Sequence, residues 1–116
     1  MPIARRQFEA GIDAKTEEWM RAIYQHLDSN TNLAFSLQEL GRALGLSGFP
    51  DYRNPVEVAL ADPRIRLNEE EQRFVFALVR LVELGVASER DVAGVAYYAT
   101  GRYALPEILE PESKAS

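Results

Sequence analysis

The chain has 116 residues, of which 47% are hydrophobic, and a formal net charge of −5. That is long enough and apolar enough to build one hydrophobic core without disulfide or metal staples. Because the chain contains no cysteine, disulfides, thiolate metal sites and a cysteine nucleophile are excluded. No apolar run approaches the roughly 20 residues that span a bilayer, and the N-terminus lacks the apolar stretch of a signal peptide. We therefore expect a soluble, cytoplasmic protein with no membrane partner.

The negative charge is concentrated towards the C-terminus. Residues 36–67 carry four Lys or Arg against four Asp or Glu, whereas residues 68–116 carry five against nine. Nonspecific affinity for nucleic acid comes from neutralising phosphates. This distribution therefore disfavours nucleic acid as a partner, although it does not exclude it.

Four helix starts are predicted from one local pattern. In each, a helix-capping residue is followed three positions later by a carboxylate, which can reach back to the unpaired N–H groups of the first turn. The pairs are Ser36/Glu39, Asn54/Glu57, Asn68/Glu71 and Ser88/Asp91. With an apolar stripe that begins near Asp13, they predict helices near 13–27, 36–44, 54–62, 68–84 and 88–100.

The first three predicted helices follow an N-terminal arm over residues 1–12. The helix from Asp13 places Trp19, Met20, Ile23 and Leu27 on one face. The second helix ends at Gly45, a residue type that favours helix C-termini. The third begins at Asn54-Pro55 and is closed by Pro63.

The fourth predicted helix, from Asn68 to Leu84, is the most apolar. Its apolar residues cover well over half of the circumference, which is typical of a central helix with several neighbours. Phe76 lies inside the narrow polar strip that remains, between Arg73 and Arg80.

The last predicted helix runs from Ser88 to near Gly101. Its inward stripe consists of small residues, whereas Tyr97 and Tyr98 project about 100° apart. Beyond it, residues 105–110 are expected to dock as a turn and residues 111–116 to form a frayed tail. The predicted fold is an all-α, compact bundle of about five helices, forming one domain over residues 13–110.

Residues 35–47 (Phe-Ser-Leu-Gln-Glu-Leu-Gly-Arg-Ala-Leu-Gly-Leu-Ser) resemble the first helix and turn of helix-turn-helix and winged-helix regulators. The resemblance makes residues 54–62 the second helix and implies a DNA-binding transcriptional regulator. That helix contains two acids and no base, whereas recognition helices normally offer Arg, Lys, Asn or Gln to base edges. Arg53, Arg64 and Arg66 flank it and could contact phosphates. The winged version is the structural alternative, with a β-hairpin at residues 64–76.

No pattern in the sequence indicates an active site or a metal site. His26 is the only histidine, so no second imidazole can join it in binding a metal. The acids Glu69, Glu70 and Glu71 begin a helix, where the dipole alone favours them. No nucleophile triad or phosphate-binding glycine loop is present. We therefore predict no enzyme activity, no catalytic residue, no metal and no cofactor.

The remaining signal is an excess of aromatic residues in the C-terminal half, accompanied by arginines. Tyrosine and arginine are enriched at interface hot spots. The predicted partner-binding residues are Phe76, Tyr97, Tyr98, Tyr103, Arg73 and Arg80. In the competing interpretation, residues 105–109 fold back and bury these aromatics. We accordingly expect a protein–protein interaction or adaptor module that binds a protein partner or self-associates, with the helix-turn-helix regulator as the alternative.

Overall fold

The structure is a computed structural model that describes residues 13–46, 49 and 67–109. These residues form α1 (Ala14–Asp28), β1 (Phe35–Ser36), α2 (Leu37–Ala43), α3 (Glu69–Glu83), β2 (Ala87–Val92), β3 (Val95–Thr100) and α4 (Leu105–Leu109). Over this part of the chain the fold is mixed α/β, with four helices and a three-stranded antiparallel sheet. The prediction of an all-α bundle of five helices is therefore wrong.

The helix starts that fall on described residues behave as predicted at α1, α2 and α3. The Asp13 carboxylate accepts a bond from the Thr16 N–H at 2.8 Å. Ser36 with Glu39 and Asn68 with Glu71 each form a reciprocal capping box, in which two otherwise unpaired donors are satisfied. The predicted helices over 13–27, 36–44 and 68–84 are thus confirmed to within a residue or two.

The segment predicted as a fifth helix, 88–100, is instead a β-hairpin. Ala93 and Gly94 both have positive φ, 54° and 87°, which is the two-residue turn whose twist matches that of antiparallel strands. The predicted cap Ser88/Asp91 does not exist, because the Asp91 Oδ1 atom accepts from the Gly94 N–H at 3.1 Å inside the turn. The β-branched and aromatic residues of β3 also favour a strand over a helix.

The winged-helix alternative predicted a β-hairpin at residues 64–76, and this position is wrong. Residues 69–76 of the segment predicted as that hairpin belong to α3. Residues 64–66, where the hairpin was predicted to begin, lie outside the described residues. So do the predicted helix over 54–62, the arm over 1–12 and the tail over 111–116.

The sheet has the order β1-β3-β2. β3 is central because it pairs with β2 along its length and with β1 through Phe35↔Tyr98 and Ser36↔Tyr97. Side chains alternate between the two faces of a strand, and the Tyr98 side of β3 faces the core. Tyr98 is fully buried, at 0% exposure.

The core lies between the sheet and the packed helices α1 and α3. Trp19 of α1 meets Phe74 of α3 edge to face, with ring centroids 5.1 Å apart. The buried apolar residues come from every described element except β1 and include Met20, Ile23, Leu27, Leu37, Leu40, Phe74, Val75, Leu78, Leu81, Ala96, Tyr98 and Leu105. Burying the stripes of α1 and α3 against each other leaves the opposite side of α3 to solvent.

Candidate protein-interaction surface

The candidate surface is the side of α3 that does not face the core. Four residues of this side are exposed and three flanking residues are half-buried. We call this set the outer face of α3; it comprises Glu69, Gln72, Phe76 and Glu83, flanked by Arg73, Val79 and Arg80. Helical periodicity brings these positions together, because residues three, four and seven apart lie on one side of a helix.

Phe76 lies at the centre of the outer face. Its side chain is 48% exposed, whereas its neighbours Val75 and Ala77 on the same helix are 0% exposed. The exposure therefore comes from the direction of the side chain and not from fraying of α3. A phenylalanine in this position leaves a large apolar surface in water.

Arg73, beside Phe76, is held by two carboxylates from different helices. Its Nη1 atom lies 3.0 Å from the Asp13 Oδ2 atom at the start of α1, and its Nη2 atom lies 3.3 Å from the Glu69 Oε1 atom. The hydrogen bonds to Glu69 and Asp13 raise the pKa of Arg73. The pKa of Asp13 is lowered, first by the hydrogen bonds from Thr16 and then by Arg73.

Arg80, on the other side of Phe76, is paired within its own helix. Its Nη1 atom lies 3.0 Å from the Glu83 Oε1 atom. Each arginine therefore pairs with a glutamate of α3 that lies farther from Phe76 than the arginine does. Along this face of α3 the order is acid, base, Phe76, base, acid. This order is the same in both directions along the helix.

A cleft adjoins the outer face where α1 meets the start of α3. Its volume is about 550 Å³, and it is lined by Lys15, Glu18, Trp19, Ala22, Glu69, Glu70 and Arg73. That volume is within the range of pockets that take small molecules or anchoring side chains. Glu69 and Arg73 border both the cleft and the outer face, so the two features form one continuous surface.

The tyrosines predicted to bind a partner do not share this surface. Tyr98 is buried, and its hydroxyl donates to the Glu89 Oε2 atom of β2 at 2.6 Å. Tyr97 lies on the opposite side of β3 and is half-buried. Tyr103 is 45% exposed and packs against Gly85, so it is a surface residue at the end of α3. Of the predicted set, the structure brings together Phe76, Arg73 and Arg80.

The segment 105–109, expected in the competing interpretation to cover the aromatics, forms the short helix α4. Its first residue, Leu105, is 1% exposed and belongs to the core. Phe76 and Tyr103 nevertheless keep about half of their surface in solvent. Of the aromatics predicted to bind a partner, Tyr98 is fully buried, and it lies in the central strand on the side of the sheet that faces the core.

The alternative DNA-contacting residues Arg53, Arg64 and Arg66 lie outside the described residues. In the part of the chain that is described, no group of three or more His, Asp or Glu side chains is placed to hold a metal ion. Over the same residues, no helix has both the length and the apolar character needed to cross a bilayer. His26 packs against Phe35, with ring centroids 4.7 Å apart.

Sequence reasoning missed two parts of this surface. The cleft beside Trp19 depends on how α1 and α3 cross, which no local pattern specifies. Four further residues complete the outer face and could have been found by taking the positions three, four or seven residues from Phe76, namely Glu69, Gln72, Val79 and Glu83.

Comparisons with protein-family models, with curated proteins and with solved structures gave no match to this chain.

Proposed function

We propose that this protein binds another protein through the outer face of α3, with Phe76 as the central apolar anchor. The observation that carries the proposal is the 48% exposure of Phe76 in the middle of a helical face whose other residues, apart from Val79, are polar. Hot spots combine a large apolar side chain at the centre with a surrounding polar rim that excludes water. Arg73, Arg80 and their paired acids supply such a rim.

The cleft between α1 and α3 supports the same proposal. It opens beside Arg73 and is lined in part by Trp19 and Ala22. Its lining therefore includes apolar side chains as well as charged ones. A partner that covers Phe76 could insert one side chain into this cleft. A protruding anchor next to a receptive cleft is a common arrangement of protein interfaces.

The charge order on α3 favours a different protein over a second copy of the chain. In a two-fold pair of α3 helices crossing at Phe76 in antiparallel orientation, Glu69 of one copy lies near Glu83 of the other, and Arg73 near Arg80. A parallel pair aligns each charge with its own equivalent. Like charges therefore meet in both orientations, and such contacts disfavour association.

Site-specific photocrosslinking in the native host tests the proposal. A benzoylphenylalanine placed at Gln72, one turn from Phe76, should form a covalent adduct with a single partner. The same group at Leu33, an exposed apolar position outside α3 (55% exposed), is the matched control and should not form that adduct. Adding Phe76→Ala to the Gln72 variant should abolish the adduct.

Three results would count against the proposal. Absence of any adduct from position 72, or equal adducts from positions 72 and 33, would contradict an interface centred on Phe76. An adduct of twice the mass of the chain would show self-association, contrary to the charge argument.

DNA binding through a helix-turn-helix is the second candidate function. What favours it is the presence of a β-hairpin beside helices, which the winged version of the resemblance requires, although the hairpin lies at 87–100 and not at 64–76. What weighs against it is the acidic C-terminal half, and the pairing of Arg73 and Arg80 with carboxylates.

A gel-shift titration against random duplex at low salt separates the two candidates. We expect no binding below micromolar concentrations, because the chain carries 18 acids against 13 Lys or Arg and affinity for DNA depends on cations that replace its counterions. Submicromolar affinity that falls steeply with salt would favour the regulator and contradict the protein-binding proposal.

A further inference from the structure

The strand β2 has an edge that is open in the described structure. In the order β1-β3-β2, one side of β2 pairs with β3 and the other faces outward. Ser88, Arg90, Asp91 and Val92 are exposed, Glu89 is half-buried and Ala87 is buried, so the accessible part of the edge begins at residue 88. A strand edge of this kind presents backbone N–H and C=O groups that another strand can bind.

The hairpin register identifies which backbone groups face outward. The turn Ala93-Gly94 closes on the pair Val92↔Val95, which in a two-residue hairpin exchanges hydrogen bonds with its partner strand. Beyond the strand end, the Gly101 N–H donates to the Val86 oxygen at 2.8 Å. Even-numbered residues of β2 therefore bond to β3.

The odd-numbered residues Ala87, Glu89 and Asp91 consequently direct their N–H and C=O groups away from β3. Ala87 is only 4% exposed, so the accessible groups are those of Glu89 and Asp91. Within the described residues, none of these groups takes part in a backbone hydrogen bond outside the β2–β3 ladder. Both carboxylates already have a partner within the hairpin: Glu89 accepts from the Tyr98 hydroxyl of β3, and Asp91 accepts from the Gly94 N–H in the turn. Those bonds hold both side chains in place while leaving oxygens able to accept more.

A second copy of β2 does not suit this edge. A two-fold antiparallel pair centred on Glu89 places Glu89 opposite Glu89, and one centred on Arg90 places Arg90 opposite Arg90 and Glu89 opposite Asp91. Like charges directly opposite each other destabilise a strand pair. A pair centred on Ser88 avoids these contacts but overlaps over three residues of β2.

We infer that the open edge of β2 binds an extended segment of another protein, which adds as an antiparallel fourth strand and carries basic side chains opposite Glu89 and Asp91. The outward backbone groups of Glu89 and Asp91 supply the hydrogen bonds, and the two carboxylates select the segment by charge. An acid opposite Arg90 completes the match. This site is separate from the outer face of α3 and does not depend on it.

A peptide titration followed by amide NMR tests the inference. The peptide acetyl-Val-Lys-Glu-Lys-Thr-Val-amide places its lysines opposite Asp91 and Glu89 and its glutamate opposite Arg90. We expect saturable shifts at the amides of Glu89 and Asp91, with slower solvent exchange there. The charge-reversed peptide acetyl-Val-Glu-Lys-Glu-Thr-Val-amide should bind about fivefold more weakly, because it faces like charges.

Two controls separate strand addition from general attraction to an acidic protein. A peptide with the same charges, N-methylated at the lysine opposite Glu89, cannot donate the central hydrogen bond and should not bind. Glu89→Gln retains an acceptor for the Tyr98 hydroxyl but loses the charge, and should weaken binding of the first peptide. Equal binding of the N-methylated peptide, or no shift at residues 87–91 at millimolar peptide, would overturn the inference.

Discussion

Gly101 lies where the chain leaves β3 and passes close to the end of α3. A Cβ atom built at this position would collide with the Gly85 oxygen and would lie 2.7 Å from the Val86 carbonyl carbon and 2.8 Å from the Ala87 nitrogen. All three are backbone atoms, which cannot move aside as a side chain can. We expect Gly101→Ala to lower the free energy of unfolding by roughly 3 kcal/mol, the upper part of the range for overpacking, measured by urea denaturation.

Gly94→Ala is the matched control for that measurement. A Cβ atom there meets no atom within 4 Å, but φ is +87°, so the cost is backbone strain of about 1 kcal/mol. If Gly101→Ala cost no more than Gly94→Ala, the close approach of β3 to the end of α3 would be wrong.

A candidate site residue could be placed correctly from the sequence only where the secondary structure around it was predicted correctly. Phe76 was found from sequence because α3 has strong helical periodicity, and a helical projection places position 76 away from the core. Tyr97 and Tyr98 were assigned by the same projection, but they lie in a strand, where neighbouring side chains point to opposite faces. One of them therefore had to face the core, and Tyr98 does.

The turn of the β2–β3 hairpin has an alanine at a position where the backbone conformation favours a different residue type. Ala93 has φ of 54°, a conformation that costs an alanine roughly 1 kcal/mol and that asparagine tolerates better. We expect Ala93→Asn to raise the free energy of unfolding by about 0.5–1 kcal/mol. Thermal melts should show a higher midpoint, and an unchanged or lower midpoint would contradict the assigned turn.

The helices were predictable because their signals are local. A cap and its carboxylate three residues later satisfy hydrogen bonds within one turn, so the starts of α2 and α3 follow from adjacent residues. The hairpin carries a weaker signal, since Ala-Gly is not the favoured Asn-Gly turn pair. Ser88 and Asp91 have the residue types and spacing of a helix cap. The strand is favoured only by the pairing of β3 with β1 and β2, which the local sequence does not show.

At the scale of the whole molecule, Asp13 links the start of α1 to α3. Its pKa is lowered from 3.8 by the hydrogen bonds from Thr16 and by Arg73. A carboxyl with a lowered pKa in the folded state adds stability at pH values above its unfolded pKa, and that stability is lost as the pH falls through the folded pKa. We expect Asp13→Asn, which retains a capping oxygen, to melt at a lower temperature than the native chain at pH 7.

The same comparison at low pH provides the check. Once the pH falls below the folded-state pKa of Asp13 the carboxyl becomes protonated, so the two melting temperatures should converge as the pH is lowered. Arg73→Gln should reproduce part of the loss at pH 7, because the bonds from Thr16 remain. A constant offset between Asp13→Asn and the native chain at pH 2 and pH 7 would contradict a contribution from the charge.

The proposed binding of a partner through the outer face of α3 is tested most directly by one comparison of affinities. Using the partner identified by crosslinking, calorimetry would compare the native chain with Phe76→Ala and with Leu33→Ala, which removes a comparably exposed apolar side chain elsewhere. Phe76→Ala should weaken binding by about 2 kcal/mol, roughly 30-fold, with an unchanged melting temperature. Leu33→Ala should bind as the native chain does, and equal affinity of all three proteins would contradict the claim.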